Sequence, residues 1–153
     1  MKRLHVHISV PDLNQAIVFY NQIFGESPSK QKADYAKWQL QDPAVNFAIS
    51  TRSEKIGLDH LGLQVSDEEE LEALNNRLTE AQIESGKIES TTCCYAESIK
   101  SWSLDPAGIA WESFMTMKDA EIYGTDSTDL PDQQTSCCSG AAPEQSEKSS
   151  CCG

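Results

Sequence analysis

The chain has 153 residues, 39% of them apolar and 24% charged, which gives room for one domain with a real core rather than two. A net charge of -12 argues against nucleic acid or an anionic membrane as a partner, because their phosphates would repel the chain. No stretch approaches the roughly eighteen apolar residues of a membrane span, and Met1-Lys2-Arg3-Leu4-His5-Val6 contains no signal-peptide core, so the cytoplasm is the expected location.

In chain order, Leu4, Val6, Ile8 and Val10 alternate with Arg3, His5, His7 and Ser9, the pattern of a strand with one apolar and one polar face. Asp12 stands where an N-cap belongs. Leu13 to Phe24 then carries apolar residues at helical spacing, up to a stop at Gly25. Three short strands are expected near 29–32, 35–40 and 45–50, the last two joined by the Asp42-Pro43 turn. The same order follows again: a strand over 59–65, a helix over 67–81 carrying Leu71, Leu74 and Leu78, and strands near 86–89, 95–104 and 110–117. From Lys118 the composition shifts to Asp, Ser, Thr, Gly and Pro, and residues 118–153 are read as a disordered Cys-rich tail that buries too little to offset its ordering entropy.

This recurrence is also written in the residues. His5-Val6-His7-Ile8-Ser9-Val10-Pro11-Asp12 and His60-Leu61-Gly62-Leu63-Gln64-Val65-Ser66-Asp67 both fit H-x-x-(I/L)-x-V-x-D, each residue 55 positions after its counterpart. A second echo pairs Trp38-x-Leu40-x-Asp42-Pro43-Ala44 with Trp102-x-Leu104-Asp105-Pro106-Ala107. The expected fold class is therefore α+β: a domain over 1–117 built of two βαβββ modules, about 1–52 and 56–117.

Duplication places His5 and His60 at equivalent points on the polar faces of equivalent strands. Glu112 interrupts the apolar run Ile109-Ala110-Trp111-Glu112-Ser113-Phe114-Met115, and a carboxylate in such a strand needs a partner. Two imidazoles and one carboxylate form a facial set with open positions, the arrangement used by oxygen-activating Fe(II) sites. His7 shares the face of His5 and is read as structural, supporting the ligands. The repeat counterpart of Glu112 falls near Asn46 or Phe47, where no carboxylate stands, so a fourth protein ligand is not expected.

The six cysteines come as adjacent pairs: Cys93-Cys94, Cys137-Cys138 and Cys151-Cys152. Neighbouring Cα atoms about 3.8 Å apart are closer than a disulfide prefers, so reduced dithiols are expected. Such pairs are bidentate ligands for soft ions. Trivalent arsenic with one carbon substituent has two valences left, which a dithiol can fill.

The pattern H-x-x-(I/L)-x-V-x-D, the second histidine in Asp59-His60-Leu61-Gly62 and the ending Asp105-Pro106-x-Gly108-x-x-x-Glu112 resemble the vicinal-oxygen-chelate superfamily of glyoxalases, bleomycin-resistance proteins and extradiol dioxygenases. Lys32-Ala33-Asp34-Tyr35-Ala36-Lys37-Trp38 and Thr91-Thr92-Cys93-Cys94-Tyr95-Ala96 resemble, more narrowly, the organoarsenical carbon–arsenic lyases and the cadmium-induced proteins. That resemblance implies an Fe(II)- and O2-dependent enzyme, monomer or homodimer, that cleaves trivalent methyl or aromatic arsenicals to arsenite. His5, His60 and Glu112 match its metal motif, and Cys93 and Cys94 its arsenic-binding catalytic pair. The rival readings are a non-catalytic arsenic- or cadmium-binding resistance protein and an extradiol dioxygenase acting on a carbon substrate. Tyr35, Tyr95 and Lys100 are candidates for proton transfer or loop closure, and Cys137, Cys138, Cys151 and Cys152 for arsenic capture or soft-metal buffering.

Overall fold

The computed structural model describes residues 2–121 and Gly124. Each half of the chain folds as one βαβββ module. The first is β1 (Arg3–Ser9), α1 (Leu13–Phe24), β2 (Lys30–Gln31), β3 (Tyr35–Gln41) and β4 (Ala44–Ser50). The second is β5 (Gly57–Val65), α2 (Glu68–Glu80), β6 (Glu89–Cys93), β7 (Ala96–Leu104) and β8 (Ala110–Asp119). Both modules lie in this one chain and share one curled mixed sheet in the order β2-β3-β4-β1-β5-β8-β7-β6. Its centre is the antiparallel pair β1–β5, flanked by the parallel pairs β1–β4 and β5–β8.

Local chemistry starts both helices in the same way. Asp12 Oδ1 accepts from Gln15 N at 2.9 Å, and Asp67 Oδ1, at the repeat-equivalent cap, accepts from Glu70 N at 2.8 Å. Gly25 ends α1 in the left-handed region at φ 71°. The strand expected near 86–89 lies later, at Glu89–Cys93, because it pairs with β7 through the tight turn Cys94-Tyr95. The last strand runs on to Asp119, and Cys93 bridges to Gly124. The four tail cysteines lie outside the described residues.

The halves use their helices differently. Under α1, Tyr20 and Phe24 pack with Trp38, Phe47 and Ile49 into the main core. The positions 55 residues on from Tyr20 and Phe24 are Asn75 and Thr79, and beside α2 there is instead a groove of about 490 Å³ lined by Leu74, Leu78 and Trp111. The tryptophan echo likewise holds in sequence but not in facing. Trp38 is buried beneath α1, donating to Asn21 Oδ1 at 3.2 Å, whereas Trp102 lies edge-on to His60 at 5.0 Å.

Truncation should report this asymmetry. Trp38→Ala is expected to cost about 3–5 kcal/mol in urea unfolding. Leu78→Ala, beside an existing groove, should cost less than about 1.5 kcal/mol, and equal losses would contradict the asymmetry.

Candidate metal centre and dithiol pocket

Strand register brings the predicted residues together. His7 on β1 sits opposite His60 on β5, and His5 sits opposite Gly62. On the other side of Gly62, in the parallel pair, lies Glu112. A glycine therefore separates a histidine from a carboxylate. A Cβ built there would come within 2.5 Å of the Glu112 carbonyl oxygen and 3.2 Å of its Cβ, so Gly62 is what allows the close approach.

His5, His60 and Glu112 are all buried. His5 Nε2 lies 3.1 Å from His60 Nε2, and Glu112 Oε2 lies 3.9 and 3.8 Å from these two nitrogens. The other ring nitrogens are engaged: His5 Nδ1 donates to the Asn46 carbonyl at 2.9 Å and His60 Nδ1 to Asp59 Oδ1 at 2.6 Å. With both Nδ1 atoms protonated, two Nε2 lone pairs and a carboxylate oxygen converge on one point. Such a donor set is repulsive alone and fits a divalent cation.

Asp59 reaches His60 because of a bulge. His7 pairs with His60 and Ile8 with Leu58, which leaves Asp59 as the extra residue on β5, close enough to accept from Ser9 Oγ at 3.3 Å as well. Glu112 Oε1 accepts from Lys100 Nζ at 2.9 Å, which fixes the carboxylate and leaves Oε2 toward the imidazoles.

Protonation follows from these contacts. Burial lowers His5 to about 4 against the pull of Glu112, and burial, then the His60 and His5 charges, lowers His7 to about 3. Burial would also lower His60, but the Asp59 hydrogen bond and the Glu112 charge outweigh it, leaving His60 above its ordinary value. For Glu112, burial alone would raise the carboxyl, yet Lys100 and then the two histidines hold it below the usual range. His7 is a further candidate ligand: one nitrogen from each of His5, His7 and His60 can lie within 4.8 Å of the others. Its Nε2 is engaged with Ser50 Oγ at 3.0 Å, however, and its Nδ1 has no hydrogen-bond partner among the described residues. In register, the counterpart of Glu112 is Ala48, the partner of His7, rather than Asn46 or Phe47. Neither Ala48 nor Asn46 is a carboxylate, and Asn46 Oδ1 is buried without a hydrogen-bond partner among the described residues.

Cys93 and Cys94 line the same cavity as His5 and Glu112, a space of about 40 Å³. Their sulfurs lie 2.9 Å apart as thiols. Cys94 and Tyr95 form the two-residue turn between β6 and β7 with φ values of 55° and 59°. Both are conformations that glycine or asparagine usually supplies, so the backbone is strained where the dithiol is presented. Contacts from the first module hold this turn: Tyr95 Oη donates to Asp34 Oδ1 at 2.6 Å, and Lys30 Nζ donates to the Tyr95 carbonyl at 2.8 Å. Sequence reasoning did not mark Asp59, Asn46 or Lys37 as members of this site. Only the Asp-His dipeptide offered a signal, and the bulge that makes it useful is not visible in sequence.

Over residues 2–113 the sequence matches the Glyoxalase/Bleomycin resistance protein/Dioxygenase superfamily. It is 40% identical over 160 residues to a trivalent organoarsenical cleaving enzyme of Bacillus sp. strain MD1, covering 99% of both chains. Identity to the cadmium-induced protein CadI of Mycobacterium tuberculosis is 35% over 144 residues, 92% of this chain and 95% of that one. In fold it is similar to the Mn(II)-bound glyoxalase from Novosphingobium aromaticivorans, with a TM-score of 0.57 at 18% identity, over 80% of this chain and 42% of the other.

Metal titration of the reduced protein discriminates the donors. His5→Ala, His60→Ala and Glu112→Ala should each weaken divalent-metal binding by more than about 100-fold, and Asp59→Asn by about 10–100-fold as the loss of an orienting partner. His7→Ala should stay within about tenfold, and a larger loss would promote His7 to a ligand. A proton on His60 Nε2 must leave before a metal enters. Since its pKa is raised above the ordinary value of about 6.5, affinity should hold above that pKa and fall up to about tenfold per pH unit below it.

Proposed function

This chain belongs to the glyoxalase/bleomycin resistance protein/dioxygenase superfamily, and we propose that within it the protein is an Fe(II)- and O2-dependent carbon–arsenic lyase that converts trivalent organoarsenicals to arsenite. One observation carries this reading: Cys93 and Cys94 line the same small cavity as His5 and Glu112, two of the three residues of the candidate metal centre. A soft-ion clamp and a hard-donor metal site have separate uses, and a substrate with arsenic at one end and a bond to be oxidised at the other uses both.

The first step belongs to the chain's own residues. The thiols of Cys93 and Cys94 exchange with the two hydroxyls of a monosubstituted arsenite, R–As(OH)2, forming two As–S bonds and releasing two waters. The remaining As–C bond is then held in the cavity that His5 and Glu112 also line. His5, His60 and Glu112 would hold the metal, with Asp59 and the Asn46 carbonyl orienting the imidazoles and Lys100 the carboxylate. When bound, Fe(II) supplies the electrons that make O2 reactive toward the As–C bond. The buried walls, including Phe114, limit water around the clamped arsenic. Reduced thiols suit the cytoplasm, and no described helix is long and apolar enough to cross a membrane.

A second reading, sequestration by thiols without turnover, is supported by the likeness to cadmium-induced proteins. Incubating the Fe(II)-loaded, reduced protein with methylarsenite, with and without O2, separates the two. Arsenite released only when both Fe(II) and O2 are present fits the lyase, and tight arsenic binding without release fits sequestration. Cys93→Ser and Cys94→Ser should each lose at least about 100-fold in turnover, the scale of lost substrate positioning, while metal binding survives. Turnover retained in both variants would refute the clamp.

A further inference from the structure

Lys37 and Thr116 line both the 40 Å³ cavity and a second, polar cavity of about 300 Å³, so the two adjoin. The smaller space suits a methyl group on arsenic. A substituted aromatic ring needs more, and the second cavity is of a size that takes one. The amides of its two glutamines, Gln39 and Gln64, are already hydrogen-bonded. Gln39 Nε2 and Asn46 Nδ2 both donate to Gln64 Oε1 at 3.1 Å, and Gln64 Nε2 donates to Thr116 Oγ1 at 3.3 Å.

Its two cations differ. Lys30 is occupied by the Tyr95 carbonyl and the Asp119 carboxylate. Lys37 is half-buried on β3; its carbonyl accepts from Ser29 Oγ, while its ammonium makes no hydrogen bond or ion pair among the described residues. Burial, and then the charge of Lys30, lowers its amine below the ordinary lysine value. It is thus a cation with lost hydration, a like-charged neighbour and only a shared carboxylate near it, Asp119, which is paired with Lys30. An anion arriving in this cavity would relieve all three.

We propose that Lys37 is a specificity residue that holds an anionic group carried on the organic substituent of the arsenical, so that the site prefers acidic aryl arsenites over neutral ones. This rests on the arsenical reading above. In it the dithiol takes the arsenic end, the smaller cavity holds the As–C bond, and the ring extends past Thr116 with its acidic group at Lys37.

The test is binding to the metal-free, reduced protein, which does not depend on turnover. Phenylarsenite and trivalent 4-carboxyphenylarsenite are titrated against the wild type, Lys37→Met, Lys37→Gln and Lys37→Arg, with cleavage by the Fe(II)-loaded forms assayed alongside. The wild type should bind the carboxylated arsenite about tenfold more tightly. Lys37→Met and Lys37→Gln should each abolish the advantage of the carboxylated arsenite over phenylarsenite, and Lys37→Arg should keep most of the preference. No preference in the wild type, or a preference that survives in both neutral variants, overturns the role of Lys37. Preference without cleavage keeps Lys37 and rejects the lyase. If neither arsenite binds, both fall.

Discussion

Across 3.1 Å at the centre of the sheet, the Nε2 atoms of His5 and His60 face one another, each ring held from behind by a hydrogen bond at Nδ1. Everything around them follows from keeping that approach. The two strands must pair antiparallel in one register, because a slip of one strand by a single residue would turn its imidazole to the helix side and away from the other. Gly62 must lack a side chain so that Glu112 can come close from the next strand. The acids beside the pair, Glu112 and Asp59, must be ionised, and Lys100 and the histidines keep Glu112 so in a buried setting that would otherwise favour its protonation.

Periodicity and duplication made most of this legible in the sequence. Alternation placed β1 and β5, the Asp12 and Asp67 caps placed the helices, and the 55-residue offset singled out His5 and His60 as a pair. What stayed hidden depends on facts that residue patterns do not carry. A bulge turns Asp59 toward its own neighbour. The tight turn after β6 moves that strand to Glu89–Cys93. Lys37 reads in sequence as an ordinary polar strand residue, and only the curl of the sheet, which brings the β6–β7 turn against β2 and β3, gives it a cavity to line.

The two modules divide the labour of stability and chemistry. Aromatic rings fill the first module beneath α1, and the second keeps small polar residues at the corresponding helix positions and a groove beside them. The strained turn that carries the dithiol lies in this less filled half. It is held by the better packed one through Tyr95–Asp34 and Lys30. A site whose local backbone is unfavourable needs such support from a rigid neighbour, which the first module supplies.

Duplication also accounts for an open position in the proposed metal centre. A symmetric site would carry a carboxylate from each module, and two carboxylates with two imidazoles would close four positions around a cation. The register puts Ala48 opposite Glu112 in the pseudo-symmetric sense, so that quarter of the site has no acidic donor. The neighbouring residue with its side chain on the cavity is Asn46, whose buried Oδ1 has no hydrogen-bond partner among the described residues. A neutral amide there costs far less to bury than a second carboxylate and leaves room for an exchangeable ligand. In the proposed centre, the loss of symmetry at this one strand position is therefore what would separate a site able to admit a reactant from one that is merely filled.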